Sequence, residues 1–242
     1  MLLDGKVAVV TGGARGLGRH ITARFVAEGA QVVCAGRDAL VAKSAFGDVD
    51  RVVFHPVDVR DEDSVDALFS FVRGEYGRLD VLVANAGVSR PGPVTELSTQ
   101  SWAEVFETNL TGVFLCLRAA AGLLGPGGRI ITLSSVLGAN AVAGGSAYCA
   151  SKAAVEMLTK VSALELAEAG ITVNCLSPGF IDEGMGKNLA ANEAVWSKFR
   201  PKLAGGRMGT AAEIAEAAVF LASSRSSYVN GHVLEVNGGI RW

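Results

Sequence analysis

The architecture of this chain is indicated most directly by the stretch Val7-Ala8-Val9-Val10-Thr11-Gly12-Gly13-Ala14-Arg15-Gly16-Leu17-Gly18. Residues 7–10 form a short apolar run rich in valine, which is typical of a strand buried on both faces of a parallel sheet. Glycines follow at positions 12, 16 and 18, and the spacing of Leu17, Ile21 and Phe25 then indicates a helix. A strand, a glycine-rich turn and a helix in this order direct free backbone N–H groups at a pyrophosphate. A plain tight turn would not require three glycines at these positions.

The rest of the chain repeats the alternation of apolar strands and amphipathic helices. Further strands are predicted over 31–35, 51–57, 79–84, 130–133, 171–176 and 232–236, with about six helices between them. This pattern predicts an α/β fold with a Rossmann-like, doubly wound parallel sheet of about seven strands, ordered 3-2-1-4-5-6-7, with helices on both faces. No linker, repeat or low-complexity tract divides the sequence, so residues 1–242 are expected to form a single domain.

Tyr148 and Lys152 are the main candidates for acid–base chemistry. They lie four residues apart in a segment, 147–167, whose pattern predicts a helix, so both side chains project from one helical face. An ammonium group beside a phenol favours the phenolate, which predicts a lowered pKa for Tyr148 and proton exchange near neutral pH. Ser134 and Ser135 follow the apolar run 130–133, at the kind of strand end where open α/β sheets bind ligands. Such tyrosine–lysine pairs also occur by chance on surface helices.

The composition argues against several classes of function. The net charge is −2 and no basic block is present, which gives nucleic acid or an anionic membrane little to bind. No apolar run approaches the roughly eighteen residues of a membrane span, and the first residues lack the pattern of a secretory signal. Cys34, Cys116, Cys149 and Cys175 are widely spaced, so neither a disulfide framework nor a zinc site is expected. We therefore expect a cytoplasmic enzyme without a metal.

Five motifs follow one another along the chain: Thr11-Gly12-x-x-x-Gly16-x-Gly18, Asp58-Val59, Asn85-Ala86-Gly87, Tyr148-x-x-x-Lys152 with Ser135 thirteen residues before the tyrosine, and Pro178-Gly179. With these motifs the sequence resembles the short-chain dehydrogenase/reductase family over essentially its whole length. The family's spacing selects Ser135 rather than Ser134 as the serine of the site.

The resemblance implies an oxidoreductase that transfers a hydride between a nicotinamide cofactor and a ketone or secondary alcohol of a small molecule. It assigns Tyr148 as the proton donor or acceptor, and Ser135 as a hydrogen-bond partner of the substrate oxygen. Lys152 would lower the pKa of the tyrosine and hold the nicotinamide ribose. Asn109 lies in the middle of a helix predicted over 98–124, where it would distort the helix and complete a proton relay through a water molecule. The implied cofactor-binding residues are Gly12, Arg15, Gly16, Leu17, Gly18, Arg37, Asp58, Val59, Asn85, Ala86, Gly87, Tyr148, Lys152, Pro178, Gly179 and Ile181.

The end of the second predicted strand indicates which nicotinamide cofactor is preferred. Many dinucleotide-binding folds carry an acidic residue there, which binds the ribose hydroxyls of the adenosine. This chain has Gly36 at that position and Arg37 next to it, and a guanidinium suits a 2′-phosphate. Arg15 adds a second positive charge from the glycine-rich turn, while Asp38 is expected to cap a helix. NADP is therefore predicted as the cofactor, in preference to NAD.

The stretch after Pro178-Gly179 departs from the family pattern. Many relatives carry a threonine five residues after the proline, which holds the nicotinamide amide or a phosphate, whereas this chain has Glu183. A glutamate accepts hydrogen bonds from an amide but repels phosphate, so this contact is in question. Residues 180–209 are expected to form a lid over the substrate.

Other functions are weighed against this interpretation. Within the family, the alternative is a reductase of 3-oxoacyl thioesters on acyl-carrier protein. Such relatives carry basic docking residues before the fifth and sixth strands, but 124–128 and 168–170 lack them and Arg129 alone is present. A hydrolase is disfavoured because the chain has three histidines and no Gly-x-Ser-x-Gly motif, and a nucleotide sensor without activity is disfavoured by the complete catalytic set. Apolar helices around 106–117 and 157–166 predict association with other chains, and the resemblance implies that the assembly is a homotetramer or homodimer.

Overall fold

The computed structural model describes residues 1–47 and 49–241, and its centre is one sheet of seven parallel strands. The strands are β1 (Val7–Thr11), β2 (Gln31–Gly36), β3 (Val52–Pro56), β4 (Leu79–Ala84), β5 (Leu124–Leu133), β6 (Thr172–Pro178) and β7 (Val233–Val236). Their order across the sheet is β3-β2-β1-β4-β5-β6-β7, which confirms the predicted topology. The carboxyl ends of all strands meet at one edge, and the strand order reverses between β1 and β4, where such sheets bind ligands.

Helices cover both faces of the sheet because successive strand residues point to opposite sides. The α-helices are α1 (Gly16–Ala27), α2 (Ala39–Phe46), α3 (Glu62–Tyr76), α4 (Thr99–Phe106), α5 (Gly112–Ala121), α6 (Ser146–Glu165), α7 (Gly184–Ala190), α8 (Glu193–Trp196) and α9 (Ala211–Ala222). On one face, Val9, Leu82 and Ile130 belong to a buried cluster that α3, α5 and α6 complete. On the other face, Val10 and Ile131 pack in a cluster with residues of α1 and α9.

The helix predicted over 98–124 is interrupted. Residues Glu107–Thr111 form a π-helical turn between α4 and α5, and Asn109 is buried at its centre. A π turn is a rare distortion that is found most often at functional sites. The helix also ends earlier than predicted, because β5 begins at Leu124 and pairs there with Leu79 before the register shifts.

Residues 180–209 form the segment that connects β6 to α9. Ile181 and Gly209 pair as an isolated bridge, and Asp182 N donates to Gly209 O at 2.9 Å, so the two ends of the segment lie side by side. Between them, α7, α8 and a short 3₁₀ turn enclose a small apolar cluster around Trp196 and Phe199. Val142 packs against this cluster from the loop before α6, which brings the segment close to that loop.

The helices of residues 1–47 and 49–241 differ in length and hydropathy from a membrane span. None of them combines enough length with enough apolar character to cross a bilayer.

Candidate active site

The predicted acid–base residues meet at the carboxyl edge of the sheet. Ser135 follows β5, while Tyr148 and Lys152 lie on the first two turns of α6. The Ser135 hydroxyl lies close enough to the Tyr148 phenol to act on its pKa as a hydrogen-bond partner. The Nζ atom of Lys152 lies 5.7 Å from the centre of the Tyr148 ring and donates to Leu133 O, at the end of β5, at 2.6 Å. Strand β5 and helix α6 thus bring a hydroxyl, a phenol and an amine into one cluster.

Burial governs the protonation of this cluster. It raises the pKa of Tyr148, and the hydrogen bond from Ser135 offsets only part of that effect. It also lowers the pKa of Lys152 from 10.5 to about 8. The structure therefore differs from the predicted lowering of the Tyr148 pKa by Lys152, because burial raises that pKa instead. Tyr148 is protonated at neutral pH, as a proton donor must be.

The structure distinguishes the two adjacent serines. Ser134 is buried, and its Oγ atom donates to Glu156 Oε1 at 2.7 Å and lies 3.2 Å from Lys152 O. Ser135 instead has its hydroxyl beside Tyr148 and accepts a hydrogen bond from Leu137 N at 3.2 Å. This arrangement supports Ser135 as the substrate-facing serine, and it gives Ser134 the role of fastening β5 to α6.

Asn109 links the π turn to the loop after β4. Its Oδ1 atom accepts from Val88 N at 2.8 Å, and its Nδ2 atom donates to Val88 O at 2.9 Å and to Ser151 Oγ at 3.1 Å. A Cβ atom built on Gly87 would lie 3.4 Å from Asn109 Oδ1 and 3.6 Å from Lys152 Nζ. The absence of a side chain at Gly87 therefore leaves a space that both groups border. A water molecule there would have polar partners on two sides, as the proposed relay requires.

The glycine-rich turn is shaped by close backbone contacts. Gly12 has a positive φ of 65°, and a Cβ atom on Gly18 would lie 2.2 Å from Gly12 O, so only glycine fits there. Asn85 fastens this turn to β4, since its Nδ2 atom donates to Thr11 O at 2.8 Å. Thr11 Oγ1 in turn accepts from the backbone N–H groups of Asn85 and Ala86. Asn85 and Thr11 thus have a structural role, which is to hold the glycine-rich turn against the end of β4.

The residues predicted around the adenosine lie at the ends of β2 and β3. Arg37 is exposed, and within residues 1–47 and 49–241 it makes no hydrogen bond or ion pair. Asp38 caps α2 as predicted, by accepting from Leu40 N and Val41 N, and also pairs with Arg15 at 2.8 Å. Asp58 forms a two-oxygen ion pair with Arg60 at 2.6 Å, which lowers the pKa of the carboxyl group.

The remaining predicted cofactor residues lie around the same edge. Gly179 directly follows β6 and lies close to the residue after β7, because a Cβ atom on Gly179 would lie 2.7 Å from Asn237 Cα. Ile181 is buried at the start of the 180–209 segment, and Val59 is buried against Gly112. Leu17 is partly buried in the α1–α9 cluster. The side chains of Val59, Leu17 and Ile181 therefore pack within the fold.

Three polar residues of the site were not found from the sequence. Glu156 lies one turn beyond Lys152, a spacing that could have identified it, and Arg60 follows Asp58 by two residues. His20 contacts Glu183 from a helix distant in sequence, at 3.6 Å between Nε2 and Oε2, and no local pattern predicts that contact.

Comparisons with known proteins test the assignment of this chain to a family. A family model described as enoyl-(acyl carrier protein) reductase matches residues 12–241. The 3-oxoacyl-[acyl-carrier-protein] reductase FabG of Chlamydia muridarum is 39% identical over 99% of this chain and 98% of its own. The chain belongs to the short-chain dehydrogenase/reductase family. It is accordingly an oxidoreductase that acts on CH–OH or C=O groups with a nicotinamide cofactor.

Other members of the family are similar along their whole length. The cis-4-hydroxycyclohexanecarboxylate dehydrogenase of Sinomonas cyclohexanicum is 42% identical over 97% of this chain and 96% of its own. Among solved structures, a putative gluconate dehydrogenase of Agrobacterium tumefaciens superimposes with a TM-score of 0.92 at 31% identity, over 98% of this chain and 96% of its own. The fold of this dehydrogenase/reductase is therefore that of its relatives.

Proposed function

We propose that this enzyme transfers a hydride between NADP(H) and a ketone or secondary alcohol of a small molecule. The observation that carries the proposal is the cluster of Ser135, Tyr148 and Lys152 beside the glycine-rich turn, at the carboxyl edge where the strand order reverses. The nicotinamide supplies the hydride chemistry when bound, and the protein supplies orientation and proton transfer.

The glycine-rich turn fits the phosphates of a dinucleotide. Arg15 precedes α1 in an extended conformation, and its side chain makes no capping hydrogen bond to the first turn. A Cβ atom on Gly16 would have no heavy atom of the described chain within 4 Å, so the side of the turn to which this Cβ would point is open. Helix N-termini with free N–H groups bind anions. Residues 12–18 would therefore hold the pyrophosphate, and the implied residues of β3, β4 and β6 would hold the rest of the cofactor.

Tyr148 is proposed as the group that exchanges a proton with the substrate oxygen. Its raised pKa keeps the phenol protonated, so it can donate during reduction of a carbonyl. Ser135, hydrogen-bonded to the phenol, would orient the same oxygen. Lys152 would hold the nicotinamide ribose, and Asn109 would connect the lysine to solvent through the space beside Gly87.

Selectivity for NADP(H) is proposed to depend on Arg37. The unpaired guanidinium of Arg37 would form charge-assisted hydrogen bonds with a 2′-phosphate. Each such bond contributes about 1.5–3 kcal/mol. Arg15 is already paired with Asp38, so it contributes less. An acidic residue at position 36 would both bind the 2′-hydroxyl and repel a 2′-phosphate, and Gly36 does neither.

The proposed selectivity is tested by kcat/KM for both cofactors at one ionic strength. We expect the wild type to favour NADP(H) by roughly tenfold. The preference should be no larger, because salt screens the interaction between exposed charges. Gly36→Asp/Arg37→Ile should shift the preference toward NAD(H). The aspartate has room, since a Cβ atom on Gly36 would have no heavy atom of the described residues within 4 Å. Arg225→Ile, an exposed arginine elsewhere, is the matched control. A wild type that favours NAD(H) would contradict the proposal.

A 3-oxoacyl thioester on an acyl-carrier protein is the second candidate substrate, and the names of several relatives favour it. The structure weakens it, because Arg129, the single docking charge expected from the sequence, is buried and donates to the backbone carbonyls of Ser223 and Gly128. Burial also lowers the pKa of this arginine. A free ketone or alcohol is therefore proposed. Turnover of a panel of free ketones should exceed that of a 3-oxoacyl thioester presented on carrier protein, and the reverse ranking would favour the second candidate.

We further propose that residues 180–209 act as a lid and that the enzyme works as a homotetramer or homodimer in the cytoplasm. The lid is supported by its contact with Val142, in the loop that leads to Tyr148. Assembly is supported by the exposed apolar side chains on α5 and α6. A reducing compartment is supported by the four cysteines, all of which are free thiols.

A further inference from the structure

The contact between His20 and Glu183 joins the helix of the glycine-rich turn to the 180–209 segment. Glu183 precedes α7 at the N-cap position, where the short carboxylate of an aspartate usually bonds to the N–H groups of the helix. Here the side chain makes no such bond, and its Oε2 atom lies 3.6 Å from His20 Nε2. Both side chains are about two-thirds buried, with 33% and 29% of their surface exposed.

The Nε2 atom of His20 has no other partner in the described part of the chain. This atom is buried, and no residue of the described chain forms a hydrogen bond with it. The nearby cation Arg24 is engaged with Glu28 and with Glu216 of α9. A shift of less than about 1 Å would bring the imidazole and the carboxylate to the 2.7–2.9 Å of a charge-assisted hydrogen bond.

The position of Glu183 makes this contact relevant to the cofactor. A Cβ atom on Gly184 would lie 3.8 Å from Gly16 Cα, so the start of α7 lies over the glycine-rich turn. A carboxylate next to bound phosphates is repelled unless a cation neutralises it. In residues 1–47 and 49–241, His20 is the one basic side chain within ion-pair distance of Glu183.

We propose that His20 and Glu183 form a latch that positions the 180–209 segment over the glycine-rich turn and neutralises the Glu183 carboxylate beside the phosphates of the bound dinucleotide. Both are positioning residues. The neutralising role rests on the proposed function, whereas the latch is a property of the protein alone.

The latch is tested first by hydrogen exchange of the amides of residues 184–190, without added dinucleotide. His20→Gln and Glu183→Gln should each accelerate exchange about two- to fivefold, the range expected for a partly exposed ion pair. The double variant should exchange no faster than either single variant. Asp182→Asn is the matched control, because Asp182 is an exposed acid directly before Glu183. Equal exchange in wild type and both single variants, or acceleration by Asp182→Asn, would overturn the latch.

The neutralising role is tested by calorimetric binding of NADP⁺ at mildly acidic pH. His20→Gln leaves an uncompensated carboxylate near the phosphates, so the Kd should rise about two- to fivefold. Adding Glu183→Gln to it should restore the Kd to within about twofold of wild type, which a purely structural role would not do. A double variant as weak as His20→Gln would overturn this role. A wild type that binds neither NADP⁺ nor NAD⁺ would overturn the proposed function and the neutralising role together, and the exchange measurement would still decide the latch.

Discussion

Tyr148 shows how burial can reverse an inference drawn from residue spacing. The i,i+4 relation with Lys152 identified the correct neighbour, since the amine lies 5.7 Å from the ring. It could not show how far the two groups are withdrawn from water, because burial depends on residues distant in sequence. Desolvation then raises the pKa of the phenol and lowers that of the amine. The chemical roles proposed for the two residues survive this correction, and the phenol stays protonated at neutral pH.

The first prediction is that Tyr148→Phe abolishes most turnover while dinucleotide binding is retained. The substitution removes one hydroxyl and leaves the ring in place, and a positioned general acid contributes roughly 10²–10⁴-fold to the rate. We expect kcat on the best substrate to fall by that factor and the Kd for the cofactor to stay within about threefold of wild type. Tyr228→Phe, at a fully exposed tyrosine, is the control. Retention of more than about a tenth of wild-type kcat would show that another group is the acid.

Lys152 gives a second prediction, for stability against pH. Its pKa falls from 10.5 to about 8 on folding, so between these values the unfolded chain binds more protons than the folded one. The lysine's contribution to the free energy of unfolding therefore rises with pH through this window, by up to roughly 3 kcal/mol. The buried thiols of Cys34 and Cys116, whose pKa is raised to about 12, act in the opposite direction.

A comparison with Lys152→Met isolates this contribution, because the thiols are the same in both proteins. Urea unfolding at about pH 7.5, 9 and 10.5 should show the wild type gaining stability relative to the variant as the pH rises. Parallel stability curves would mean that Lys152 is not desolvated in the folded protein.

At the scale of elements, the sequence predicted which segments exist better than it predicted their irregularities. The valine-rich runs and their glycine turns define the strands because a parallel sheet needs continuous apolar strands. Asn109 indicated a distortion, yet its form as a π turn depends on Val88 and Ser151, which are distant in sequence. The early start of β5 at Leu124 is set by pairing with Leu79 and carries little local signal, since it passes through a glycine-rich stretch.

The π turn leads to a third prediction, on stability. Asn109→Ala removes three hydrogen bonds and leaves the N–H and C=O groups of Val88 without these partners. An unsatisfied buried polar group costs about 1–3 kcal/mol, so we expect a loss of about 2–4 kcal/mol in the free energy of unfolding. Denaturant titration should show this loss, while Asn192→Ala, at an exposed asparagine whose side chain caps no helix, should change stability by less than about 0.5 kcal/mol. A loss below about 1 kcal/mol for Asn109→Ala would contradict the structural role of the asparagine.

At the scale of the molecule, contacts between distant segments were the least predictable features. The strand order followed from general rules of α/β topology, and the motifs marked the carboxyl edge. The burial of Arg129 could not be read from its glycine-rich surroundings, since it depends on the loop after α9, which provides Ser223 O. The contact of His20 with Glu183 likewise joins residues that only the complete fold brings together.

The last prediction concerns assembly. Met157, Val161 and Leu164 form an exposed apolar stripe at helical spacing along α6, and Phe114 of α5 is also exposed. Such surface on a lone chain favours association, so sedimentation should show a dimer or tetramer at micromolar concentration. Leu164→Glu should shift the sedimentation distribution toward smaller species, because burying a charge in an interface costs free energy. Leu40→Glu is a matched control, since Leu40 and Leu164 are both 80% exposed but lie on different helices. A wild type that sediments as a stable monomer, or equal effects of the two substitutions, would contradict assembly through α6.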